Sequence, residues 1–133
     1  MKKTLSIILC LTVFLSCHES IEDRAAREAR EYTEKFCPTP VINYTRTDSV
    51  TFDKATKTYN YYCSVTDMMD SEEIIKANSK AIRDGLLQSI KQNTEIRVYK
   101  KAGFTFAYTI YSSEKPGTVY LKLKYMPADY NQK

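Results

Sequence analysis

The sequence predicts one small α+β domain. It is an antiparallel β-sheet of about five strands with one helix packed on a face, preceded by a charged N-terminal helix, in the order α-β-β-α-β-β-β. Three observations predict it. The chain has 133 residues, enough for a single hydrophobic core. Apolar residues recur at helical spacing in two stretches, and alternate with period two in five others. Short turn-forming segments separate successive strands, which implies neighbouring antiparallel pairs and a helix on one face.

The first residues read as targeting rather than fold. Lys2 and Lys3 supply positive charge, and residues 5–15 form an uncharged apolar run. Eleven residues rise about 16 Å as a helix, against about 30 Å of hydrocarbon. The run therefore suits the apolar region of a signal peptide spanning residues 1–16. A buried N-terminal core helix is the alternative, and a run apolar on every side at the extreme terminus speaks against it.

Residues 20–36 predict the first helix. Ser20 supplies a cap, and Asp23 and Glu31 stand four residues before Arg27 and Lys35. Its apolar stripe is thin, so its first half could serve as a stalk. Cys37-Pro38-Thr39-Pro40 stops it, because proline cannot continue the hydrogen-bond ladder. Val50 and Phe52 then alternate with Ser49 and Thr51, giving a strand. Tyr59, Tyr61, Cys63 and Val65 share one face of a second strand over residues 57–66.

Asp70-Ser71-Glu72-Glu73 marks a helix start, and the apolar spacing carries that helix over residues 71–93. Ile74, Ile75, Ala81, Ile82, Leu86 and Ile90 form its predicted buried face. Gly85 costs about 1 kcal/mol relative to alanine inside a helix, and close approach to a sheet would explain it. Ile96 and Val98 alternate with Arg97 and Tyr99 as a third strand. Phe104, Phe106, Tyr108 and Ile110 share a face of the fourth. Val119, Leu121, Leu123 and Tyr125 share a face of the fifth, and a tail follows from Met126.

The chemistry of the chain is sparse. His18 is its one histidine and sits beside the predicted leader, so a serine triad lacks its base. The three glycines make no phosphate loop, and no ligand spacing suits zinc. Asp67 and Asp70 could touch a hard cation, but helix capping accounts for them. The sequence thus predicts no enzyme: no catalytic residue, no cofactor and no metal. The formal net charge is +4, and Lys2 and Lys3 leave with the signal. Such a near-neutral chain excludes a nucleic-acid surface.

Four cysteines are present. Cys10 lies in the signal and Cys17 directly after it. Cys37 and Cys63 remain, either as a disulfide closing a loop worth about 3 kcal/mol or as two buried thiols. The absence of Cys-x-x-Cys argues against a redox enzyme. Eleven tyrosines and no tryptophan are the compositional oddity. Tyr62, Tyr99, Tyr111 and Tyr120 fall opposite the predicted apolar faces, and together they form a candidate contact surface.

Phe14-Leu15-Ser16-Cys17 resembles the lipobox of bacterial lipoproteins, Ser16 and Cys17 matching it and Phe14 and Leu15 departing from it. The resemblance implies cleavage before Cys17 and lipidation of its thiol, leaving residues 17–40 as a lipidated tether with the charged helix and residues 41–133 as the domain. Several acyl chains hold a protein firmly on a bilayer. Asp48-Ser49-Val50 resembles the O-glycosylation signal of exported Bacteroidota-type proteins, with Ser49 as acceptor. Ser16-Cys17, the helix ending in Phe36-Cys37-Pro38, the strand at residues 47–52 and Phe106-Ala107-Tyr108 together resemble the small lipoproteins of those bacteria. The resemblance implies a lipid anchor in the cell envelope, on the periplasmic or surface side of the outer membrane. The function expected is a non-catalytic binding or assembly module with a protein partner; a glycan held by exposed tyrosines is the alternative.

Overall fold

The computed structural model describes residues 18–133. The expected signal segment and the expected lipid-bearing Cys17 lie outside the described residues.

Ser20 caps the first helix as its position predicts. Its hydroxyl accepts the Asp23 N–H at 3.0 Å, and α1 runs Ile21–Phe36. The ion pairs on α1 differ from the expected ones. Arg24 meets Glu28 at 2.8 Å, Arg27 is shared between Glu19 and Glu31, and Asp23 turns to Lys54. Ala25 and Ala29 are wholly buried, so α1 lies along β1 instead of standing off as a stalk.

Strands β1 (Thr45–Asp53) and β2 (Thr58–Val65) form the expected antiparallel hairpin, with a bulge between Thr47 and Ser49. The Asp53 carboxylate closes its turn by accepting the Ala55 and Thr56 N–H groups.

The helix predicted over residues 71–93 is divided. A single 3-10 turn, Asp67–Met69, leads into α2 (Glu72–Ala77) and α3 (Ser79–Gln92). The break falls at Asn78, whose side-chain amide donates to the Ile74 carbonyl at 2.7 Å and so competes with the helical ladder. Ser71 caps α2, accepting the Ile74 N–H at 3.4 Å. Ile74 is exposed with Ala81, and the buried face is carried by Ile75, Ile82, Leu86 and Ile90. Gly85 approaches nothing: a Cβ there would meet no atom within 4 Å.

The expected strand at Ile96 and Val98 is instead helix α4, Arg97–Lys101. Val98 is 40% exposed and Tyr99 is buried, the reverse of the predicted faces. Strands β3 (Thr105–Ser112) and β4 (Val119–Tyr125) form the second hairpin. Where a tail was expected, α5 (Pro127–Tyr130) follows. Its Tyr130 hydroxyl donates to the Phe104 carbonyl at 2.7 Å.

The sheet is therefore four-stranded and mixed, in the order β1-β2-β3-β4, and the five-stranded antiparallel expectation is corrected. Strands β2 and β3 run parallel. A parallel pair needs a crossover connection, and α2, α3 and α4 supply it. All buried helical residues cluster with one sheet face, the inner one, which carries Val50, Tyr59, Phe106, Ile110, Leu123 and Tyr125. The outer face carries Asn60, Tyr62, Thr109, Tyr111, Lys122 and Lys124.

Candidate functional site

The inner face is covered unevenly. Helix α1 packs on β1, whereas α2, α3 and α5 pack on β4 and its surroundings. Between these supports the floor of β2 and β3 stays partly open. The parallel register sets Tyr61 beside Tyr108, and their rings stack at 4.7 Å between centroids with 12° between planes. Two cavities flank this stack, one lined by Tyr61 and the other by Tyr108. Together they form a trough along the inner face.

The two ends differ in chemistry. Toward Val65 the cavity holds about 310 Å³ and is walled by Cys63, Val65, Ile75, Ile82, Leu86 and Ile110. Thr45 and Thr47 are its polar margin. At the opposite end a second cavity of about 310 Å³ is lined by Glu28, Tyr32, Tyr59, Tyr61, Asn93 and Glu95, with Tyr99 behind them.

Tyrosine in place of aliphatic side chains gives this floor its character. The hydroxyls of Tyr59, Tyr61 and Tyr108 make no hydrogen bond to the described residues. Burial, reinforced by the Glu28 charge, pushes the Tyr59 hydroxyl up to about 12. Burial likewise raises Tyr61 and Tyr108. Burial also raises the Cys63 thiol, so neither it nor the tyrosines are ionised near neutrality. Tyr99 donates its hydroxyl to Glu28. Burial would raise the Glu28 carboxyl, but this bond and Arg24 outweigh burial and hold it below its ordinary value.

The predicted contact tyrosines separate. Tyr62 and Tyr111 are half-buried neighbours on the outer face, 6.5 Å between ring centroids, flanked by Lys122 and Lys124. Tyr99 is instead 2% exposed, because α4 turns it into the core. Tyr120 is 9% exposed, and its hydroxyl donates to Asp70 at 2.9 Å. The four-tyrosine surface is thus corrected to a pair. Ser49 is half-buried on edge strand β1 opposite Tyr62. Cys37, half-buried, and Cys63, buried, stand as free thiols. His18 is exposed. No group of three or more histidine, cysteine or acidic side chains capable of holding a metal occurs among the described residues. No described helix is long and apolar enough to cross a membrane.

Sequence reasoning placed Tyr59, Tyr61 and Tyr108 on apolar strand faces, not in a site, and did not single out Glu28. The signal was available, since a predicted buried face with tyrosine at adjacent alternating positions carries hydroxyls that demand partners.

Among the described residues, a four-stranded mixed sheet thus carries helices on one face, with two tyrosine-bearing cavities on that face. The chain belongs to DUF8479, a family of domains of unknown function, whose sequence profile matches residues 20–121. No curated protein matches its sequence. Its fold is similar to three solved structures. A protein from Pseudomonas aeruginosa described as secreted is 14% identical, with a TM-score of 0.64 over 85% of this chain and 99% of that one. The pilotin EpsS of the Vibrio vulnificus type 2 secretion system is 10% identical, with a TM-score of 0.63 over 84% and 93%. The type II secretion system pilotin AspS of Vibrio cholerae is 13% identical, with a TM-score of 0.59 over 81% and 90%.

Proposed function

We propose that this chain is a lipid-anchored, non-catalytic assembly module of the bacterial envelope, which holds a segment of a protein partner in the inner-face trough. One observation carries the reading. The floor at Tyr61 and Tyr108 is aromatic, half-covered and left with hydroxyls unpaired, between an apolar and an acidic end. These hydroxyls reach solvent, so an occupant that displaces their water must offer them polar partners. An amphipathic segment supplies both the apolar area and the polar partners. The shared fold with two pilotins of type II secretion systems supports an assembly role, and Ser16-Cys17 supports the anchor. The alternative of a glycan on four exposed tyrosines loses its surface with the burial of Tyr99 and Tyr120.

Site-specific photocrosslinking in the native envelope tests the proposal. A photoreactive side chain at Leu86, on the trough wall, should give one recurrent protein adduct. The same group at Lys122, on the outer face, should not. Adducts of equal yield from both positions, or none from Leu86, would overturn the reading. Intact mass tests the anchor: a lipidated chain beginning at Cys17 is expected, and an unprocessed chain would remove the envelope placement.

A further inference from the structure

The acidic end of the trough carries a more specific chemistry than the apolar end. We infer that the cavity between Glu28 and Glu95 is a subsite for one basic side chain, a lysine ammonium or an arginine guanidinium, of the segment held in the trough. This rests on the function proposed above and adds the chemistry of the occupant.

The cavity mixes apolar wall, supplied by Val50, Ile96 and the tyrosine rings, with side chains that can accept a hydrogen bond. Glu28 and Glu95 bring two carboxylates, and Asn93 brings an amide whose oxygen already accepts the Glu95 N–H at 2.9 Å. Glu28 spends one oxygen on Arg24 at 2.8 Å and the other on the Tyr99 hydroxyl. A carboxylate has about four lone-pair sites, so Glu28 retains capacity to accept. Glu95 takes part in no ion pair with another described residue. Tyr59, a lining residue, is only 7% exposed, yet its hydroxyl reaches solvent and has no partner among the described residues. Tyr61 adds a second unpaired hydroxyl beside it.

The rings add to the attraction. Tyr32, Tyr59, Tyr61 and Tyr99 surround the space, and ring faces attract cations. Arg24 already shows the arrangement from outside the cavity. Its guanidinium lies 6.0 Å from the Tyr99 ring centroid while it pairs with Glu28. No basic side chain of the described residues lines the cavity itself. An anion would face two carboxylates, and an aliphatic group would leave the tyrosine hydroxyls unpaired. A cation with several N–H donors satisfies carboxylates, hydroxyls and ring faces together.

The polarity of the trough then sets the orientation of its occupant. The Val65 end has no carboxylate among the described residues and takes apolar side chains. Along β2, Tyr59 and Val65 are about 20 Å apart at the rise of an extended strand. The matching segment therefore has apolar anchors at one end and a base toward the other.

The test uses two small probes on the mature chain in lipid nanodiscs, with n-butylguanidinium as the cation and n-butylurea as its neutral counterpart. The guanidinium should shift the Tyr59, Tyr61 and Asn93 side-chain resonances saturably, at about 1 mM as befits a lone small cation. The urea should leave them in place. Glu95→Gln, on an exposed side chain, should weaken the guanidinium about fivefold. Cyclohexanol is the control for the other end and should move the Ile82 and Ile110 methyl signals equally in both proteins. Equal shifts from urea and guanidinium, or none from guanidinium, would overturn the cation subsite. If cyclohexanol still moves the methyls, that failure belongs to the subsite alone. If it does not, the trough reading fails as well.

Discussion

Tyr120 and Asp70 are bound side chain to side chain, the phenol donating to one carboxylate oxygen at 2.9 Å while the other oxygen accepts from the Ser113 N–H and hydroxyl and the Glu114 N–H. Asp70 therefore ties the start of α2 to the β3–β4 turn and to β4. Burial would raise its carboxyl. The hydrogen bonds from Ser112, Glu114, Tyr120 and Ser113 outweigh burial and hold it well below the usual carboxylate range.

That relationship makes stability sensitive to acid. The folded-state value is depressed, so the contribution is complete above the ordinary value of 3.8 and is lost as pH falls below it. Asp70→Asn puts an amide donor against N–H donors and should cost about 1–3 kcal/mol at neutral pH. Urea melts of both proteins at pH 7 and below pH 3 check it. The difference between them should shrink in acid, and a constant difference would refute the linkage.

The tyrosine hydroxyls divide into bonded and unbonded ones, and phenylalanine tells them apart. Tyr120→Phe leaves Asp70 short of a donor and should cost about 1–3 kcal/mol. Tyr108→Phe keeps the stack with Tyr61 and removes a hydroxyl that bonds nothing among the described residues, so stability should hold or rise by up to about 1 kcal/mol. Urea unfolding midpoints for the two variants should move in opposite directions or differ clearly in size.

At alkaline pH the buried tyrosines act in the opposite sense to Asp70. The Tyr59 value is raised from 10.0 to about 12, so its contribution is complete below pH 10 and is lost as pH climbs from there through about 12. Tyr61 and Tyr108 are raised in the same direction by burial. Spectrophotometric titration should show a late tyrosinate fraction that ionises together with loss of near-ultraviolet dichroism. Ionisation of all tyrosines near pH 10 with the fold intact would contradict this burial.

The extent to which the fold could be read in advance follows from the length of each pattern. Helix α1 and strands β1, β2, β3 and β4 carry long unambiguous periods, and all were expected. The segment Ile96-Arg97-Val98-Tyr99 is too short to separate the two periods. Its two inward residues, Ile96 and Tyr99, stand three apart, which is helical spacing. Converting that strand to α4 lengthens the connection from β2 to β3 into a full crossover, so the pairing becomes parallel. The trough depends on that parallel register, which sets Tyr61 beside Tyr108, and local pattern does not encode it. Tyr99 and Tyr120 were expected outside for a related reason: each lies where the strand alternation fails, Tyr99 in α4 and Tyr120 as the bulged residue of β4, unpaired between Val119 and Leu121.

Gly85 offers a gain in stability. It lies inside α3 on the exposed side, and a Cβ there would meet nothing within 4 Å. Gly85→Ala should therefore stabilise the domain by about 1 kcal/mol, through lower backbone entropy in the unfolded chain and better helix propensity. Thermal melting should rise by about 4 °C. A fall would mean that α3 is covered on this side by a partner or by residues outside 18–133.

Cys63 and Cys37 provide the last prediction. Both stand as free thiols, and burial raises both values above 9.0, with Asp48 adding to the rise at each. Thr47 opposes the rise at Cys63, its hydroxyl lying 4.0 Å from the sulfur. Because the thiolate is the reactive form, a raised value slows alkylation near neutrality, and burial slows it further at Cys63. Native protein should alkylate at Cys37 first and at Cys63 only after unfolding. Mass spectrometry of alkylated peptides checks the order. Recovery of the two cysteines in disulfide-linked peptides, without prior reduction, would instead mean that the protein also exists with a Cys37–Cys63 bridge.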